Sequence, residues 1–162
     1  MDNHKNMRQT TNNSLEIKAT QEEIYNAITN PAALEIWQAP GEMTAKVHNF
    51  DLRIGGGYEM SLFYPDNETE MTGKTTGKED KFTARFIELI PNRKIVQAIN
   101  FDTSNPDFMG EMIMELVLDP TDAGTNVTFT FKNLPIGIRP ADNEEGTMSS
   151  LNKLSDYVRQ ER

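Results

Sequence analysis

The sequence predicts an α+β domain: a curved antiparallel sheet of about seven strands around one long C-terminal helix, with two short helices after the first strand. Three observations carry this. Residues Pro140 to Arg162 read as one amphipathic helix, because Met148, Leu151, Leu154 and Val158 recur at spacings of three and four and so share a face, which Tyr157 widens. From Val47 to Lys132 the dominant apolar period is two, the period of half-buried strands. Finally, strands in succession followed by a helix favour an antiparallel sheet with one face covered, and the last helix is the only long cover available.

The elements follow in order. Residues 1–12 are polar, without apolar periodicity, and read as a disordered tail ahead of a single domain over 13–162. Leu15, Ile17 and Ala19 alternate with Glu16 and Lys18 as the first strand. Thr20 with Glu23 three residues on forms a capping box, and Ile24, Ala27 and Ile28 make the apolar face of the helix it starts. Asn30-Pro31 ends that helix and opens a second, Pro31 to Gln38, with Leu34 and Trp37 on one face; Ala39-Pro40-Gly41 stops it. Val47 to Ile54 is a strand running into Gly55-Gly56-Gly57, after which Tyr58, Met60, Leu62 and Tyr64 alternate with Glu59 and Ser61. Pro65 to Lys81 is a polar, glycine-rich connection. Phe82 to Ile90, closed by Pro91-Asn92, and Lys94 to Phe101 are strands; Thr103 to Gly110 is a loop. Met112, Met114, Leu116 and Leu118 face away from Glu111, Glu115 and Asp119, and a turn follows over Pro120 to Gly124. Val127, Phe129 and Phe131 alternate with Asn126, Thr128, Thr130 and Lys132, the cleanest amphipathic strand of the chain. A loop with Pro135 and Gly137 leads to Pro140 and the last helix. Asp142, Glu144 and Glu145 at its front and Arg159 and Arg162 at its back complement the helix dipole. Gly146 is its odd residue, since glycine in a helix costs about 1 kcal/mol against alanine. It marks either fraying or the close approach of another element or a ligand.

Composition narrows the function. Acidic residues outnumber basic ones by 25 to 16, a net charge of -9, which argues against nucleic acid and an anionic membrane surface as partners. There is no cysteine, hence no disulfide, thiolate nucleophile or cysteine metal site. The first residues lack the apolar core of a secretory signal, and no run approaches the ~18 apolar residues of a membrane span. A soluble cytoplasmic protein is the expectation.

Motifs for chemistry are few. Gly55-Gly56-Gly57 precedes a strand, not the helix that a phosphate loop requires, and reads as a bend or bulge in the sheet. Gly73-Lys74-Thr75 lacks the earlier glycine of such a loop and reads as a hairpin connection. His48 stands alone on a strand and His4 lies in the tail, so no metal site is indicated. No pair of carboxylates is singled out by spacing, so no catalytic residue is assigned, and nothing calls for a cofactor.

The stretches ATQEEIYNAITNPAALEIWQAP, FDLRIGGGYEM, FIELIPNRKIV, GTNVTFTF and EEGTMSSLNKL, in this order, resemble the SRPBCC superfamily, with its START-like or helix-grip fold. Within it the chain is similar to homologues of the heat-shock-protein ATPase activator domain. The resemblance covers nearly the whole chain beyond the tail. It implies an apolar ligand held between the sheet and the long helix, and it also implies a module that acts by contact with a chaperone. Members often carry tryptophan after the helix glycine; this chain has Thr147 there.

The expectation is therefore a protein that binds a small apolar or amphipathic ligand in a sheet–helix cavity. Nine methionines support it, since methionine adapts to varied apolar surfaces, although core filling is the commoner explanation for any one of them. The expected lining is drawn from Trp37, Tyr58, Met60, Phe101, Met112, Met114, Phe129, Met148 and Leu151. Two rival classes stay open: a protein-interaction module, with a homodimer or a chaperone as partner, and a cyclase- or hydrolase-like enzyme of the same superfamily.

Overall fold

A computed structural model of the chain describes residues 8–65 and 79–160. The order is β1 (Thr11–Ile17), α1 (Gln21–Ile28), α2 (Pro31–Trp37), β2 (Thr44–Asp51), β3 (Gly57–Phe63), β4 (Glu79–Ile90), β5 (Lys94–Phe101), β6 (Met112–Pro120), β7 (Thr125–Lys132) and α3 (Pro140–Gln160). A 3-10 turn, Pro106–Phe108, lies in the loop before β6. Among the described residues seven strands form one curved antiparallel sheet, in the order β1-β7-β6-β5-β4-β3-β2. This is the helix-grip α+β architecture expected from the sequence.

Local rules account for most elements. Thr20 accepts from the Glu23 backbone, and the Glu23 carboxylate accepts from the Thr20 backbone, so α1 starts on the capping box. Asn30 caps α2 through the Ala33 backbone, with Pro31 next to it. On β7 the alternation places Val127 and Phe129 in the core and Thr128 and Thr130 outward; Val127 pairs with Leu118 and Phe129 with Leu116. Leu116, Leu118, Val127, Leu151, Leu154 and Val158 all belong to one buried cluster that also takes in α1 and α2.

The glycine triplet is a bend. Gly55 donates to Phe86 O and Gly56 O accepts from Phe86 N, which ties the bend to β4. A Cβ on Gly57 would lie 1.9 Å from the Ala84 carbonyl oxygen, so the close approach of two strands requires glycine there. β2 ends before this bend, at Asp51, and starts earlier than expected, at Thr44. Leu52 and Ile54, assigned from sequence to the strand, stand exposed in the bend.

The first strand also begins earlier than the sequence indicated. Thr11 and Asn12 pair with Phe131 and Thr130, and buried Thr11 donates to the Asn143 side chain on α3. Gln9 O accepts from Leu134 N, and Arg8 donates to Leu134 O and Met109 O. Part of the expected tail is thus docked, held by polar bonds that leave no apolar period. Residues 1–7 lie outside the described residues, as do Gly73-Lys74-Thr75 and Arg162. Deleting residues 1–12 is expected to lower the melting temperature by about 5 °C, because several buried or part-buried hydrogen bonds are lost together. An unchanged melting curve would show that these bonds contribute nothing net.

Candidate functional site

Between the sheet and the front half of α3 lies a half-open cavity of about 550 Å³. Its floor is the concave face of the sheet. Period two places Met112 and Met114 on β6, Phe129 and Phe131 on β7, and Ile99 and Phe101 on β5 in this wall. Phe82 of β4 and Leu62 of β3 extend it. The roof is α3, through Asn143, Gly146, Thr147 and Ser150. Gln38 and Pro40 close one side, and Phe108 and Ile138 come from the loops ahead of β6 and α3.

The cavity has a simple cause. The inward positions of α3 carry small side chains in its front half, Gly146, Thr147 and Ser150, and large ones behind, Leu151, Leu154 and Val158. The rear half fills the core; the front half leaves space above large floor residues. Thr147 donates to Asn143 O at 2.7 Å and Ser150 to Gln38 O at 2.7 Å, so both hydroxyls are satisfied within the wall. A Cβ on Gly146 would meet only Pro40, at 3.6 Å, an ordinary contact. Pro40 is thus the element that approaches the glycine, at a distance that does not require one. A tryptophan in place of Thr147 would project from this buried roof position.

Of the residues expected to line the cavity, the structure brings together Phe101, Met112, Met114 and Phe129. Trp37 is fully buried behind Phe129, its ring 6.0 Å from that of Phe129, not at the cavity mouth. Met60 and Leu151 are core residues, and Met148 packs half-buried against the same core. Tyr58 is buried under Phe50 and accepts from Gln97 Nε2 at 3.1 Å. Burial pushes the Tyr58 phenol well up, against the opposing hydrogen bonds with Gln38 and Gln97. Gln97 therefore faces inward and Asn100 outward. His48 is half-buried, with Nε2 3.3 Å from Ser61 Oγ.

Sequence reasoning missed the polar groups of the cavity. Asp80, only 2% exposed, lines it together with Tyr64, whose hydroxyl donates to Asp80 Oδ2 at 2.9 Å. The signal was present: period two run backwards from Phe86, Ala84 and Phe82 lands on Asp80. At the exposed rim Arg139 and Asp142 stand 3.9 Å apart. Lys153, on α3, donates to Ala39 O and Gly41 O and so ties the helix to the chain after α2; partial burial lowers its pKa. Among the described residues no three His, Asp or Glu side chains are placed to hold a metal ion, and no helix is long and apolar enough to cross a membrane.

Comparison with known proteins agrees with this architecture. Protein CV1439 from Chromobacterium violaceum is similar in structure at a TM-score of 0.80 and 27% identity, over 93% of this chain and 97% of that one. A protein from Rhodobacter sphaeroides superposes with a TM-score of 0.77 at 17% identity, over 94% of this chain and 93% of that one. An AHSA1-like protein from Aeromonas hydrophila, solved by NMR, gives 0.71 at 18%, over 94% and 93%. No curated protein matches the chain. Residues 18–159 match the family described as Activator of Hsp90 ATPase homolog 1-like protein. With that match spanning all but the first strand of the sheet–helix framework, the chain belongs to this family, within the SRPBCC superfamily.

Proposed function

We propose that the protein binds a small apolar or amphipathic molecule in the cavity between the sheet and α3. The observation that carries this reading is the mismatch across the cavity: large apolar side chains on the floor and small ones on the roof, around about 550 Å³. That volume falls within the ~300–1,000 Å³ of small-molecule sites, and the mix of apolar wall with few polar groups is their usual character. Methionines at 112 and 114 suit a wall that adapts to its guest.

An uncharged environment-sensitive dye, Nile red, is expected to bind the folded protein saturably at about one molecule per chain. Met114→Trp or Thr147→Trp, each placing a bulky ring in a cavity wall, should block binding while the circular dichroism spectrum and melting transition persist. Dye uptake only on heating, or binding untouched by both substitutions, overturns the reading.

A second reading, contact with a chaperone ATPase as the family description implies, is favoured by one observation. Leu52, Ile54 and Ile87 are exposed, and the hydrogen bonds between the glycine bend and Phe86 bring their segments together at one end of the sheet. If the dye test fails, this patch is the surface to mutate in an ATPase-stimulation assay.

A further inference from the structure

We propose that the cavity selects a neutral amphipathic molecule whose polar end is a hydroxyl, its proton received by Ser150 and Thr147 of α3. This rests on the cavity-binding reading above and adds the chemistry of the polar end.

Both side chains line the cavity, and each residue is only 6% exposed. A serine or threonine hydroxyl carries one proton and two acceptor lone pairs. In both residues the proton is committed to a backbone carbonyl: Ser150 donates to Gln38 O, and Thr147 to Asn143 O. The first commitment is the stronger. Gln38 is the C-cap of α2, where a carbonyl has no partner further along its own helix, and Ser150 supplies the donor. Turning that proton toward a ligand carbonyl would strip Gln38 O of this bond. What the two hydroxyls keep for a guest is acceptor capacity. Residues three positions apart on a helix have Cβ atoms about 5–6 Å apart, so one ligand O–H between them can bond to either oxygen.

The surroundings set the charge of the guest. The polar neighbours, Gln38 and Asn143, are neutral amides, and the floor contributes Met112, Met114 and Phe129. Arg139 and Asp142 stand at the exposed rim, 3.9 Å from each other. An ion drawn under this roof would exchange water for neutral partners, which costs far more than burying a hydroxyl that finds one. Asn143 accepts from Thr11 through Oδ1 and keeps its amide N–H groups. An ether or ketone can use only such N–H donors. An alcohol can use them and also supply the proton that Ser150 and Thr147 lack.

The test is displacement of Nile red by competitors of similar size: n-octanol, its isomer heptyl methyl ether, octylammonium and octanoate, each below saturation and micelle formation. Octanol is expected to displace the dye at about fivefold lower concentration than the ether, the worth of one net hydrogen bond. Octylammonium and octanoate should both be weaker than octanol. The double variant Ser150→Ala with Thr147→Val removes both acceptors, and the octanol-to-ether preference measured within it should fall to about twofold or less. If that variant does not fold, Thr147→Val alone, which keeps the side-chain shape and the Ser150 bond, is expected to lower the preference to about threefold. Equal displacement by octanol and ether, a preference unchanged in a folded variant, or a charged head that outcompetes octanol overturns the assignment while leaving the cavity reading intact. Failure of Nile red to bind the wild-type protein overturns both.

Discussion

Trp37→Ala is expected to destabilise the fold by about 3–5 kcal/mol and to lower the melting temperature by about 10 °C or more. The ring is fully buried and tilts 56° against Phe129, so its removal leaves a void at the junction of α2 and the sheet. It also removes a donor with a particular task. Trp37 Nε1 donates to Ala27 O at 2.9 Å. In a continuing helix Ala27 O would accept from the residue four positions on, but that residue is Pro31, which has no N–H. The indole thus satisfies a carbonyl that the junction of α1 and α2 orphans. Trp37→Phe keeps most of the packing and loses this bond, so it should cost about 1–3 kcal/mol, less than alanine. Circular dichroism melts are the measurement, since Trp37 is the only tryptophan and its fluorescence is lost with it. A melting temperature within about 2 °C of wild type for the alanine variant would count against this role.

Leu154→Ala should cost about 2–5 kcal/mol. Leu154 is fully buried in the rear half of α3, in a cluster that includes Ile24 and Ile28 of α1 and Leu118 and Val127 of the sheet. A packed core drawn from helices and sheet limits how far the site can collapse, and unrelaxed space sets the size of the penalty. The same class of truncation at Met114 should cost less, because one side of that side chain meets the cavity rather than packed atoms. Chemical denaturation of both variants, with equal slopes, gives the comparison. An unchanged midpoint for Leu154→Ala would move α3 off the sheet; a larger loss at Met114 would mean the cavity is not there.

The elements that could be read from the chain are those whose causes lie within a few residues. The capping box at Thr20, the proline start of α2, the β5 bounds and the alternation of Val127, Phe129 and Phe131 belong here. The errors have causes too. β1 starts at Thr11 because its inward residue there bonds to Asn143 on α3, and a polar inward residue leaves no apolar period. Leu52 and Ile54 continued an apolar pattern past Asp51, but the bend at Gly55 turns them to solvent. Asp80 was hidden because a single carboxylate on an inward position reads as loop when a polar connection precedes it.

The candidate site divides along the same line. Alternation by itself determined which residues face the helix: Met60, Met112, Met114, Leu116 and Phe129 all do. It did not determine which of them meet packed atoms and which meet space. That was decided by α3, whose inward side chains are small at Gly146, Thr147 and Ser150 and large at Leu151 and Leu154, and by the placement of Gln38 and Pro40 along one edge. Period is a local property, set by the geometry of a single strand. A cavity is a difference between two facing surfaces, and here those surfaces come from segments far apart in the sequence, so only the folded chain sets it.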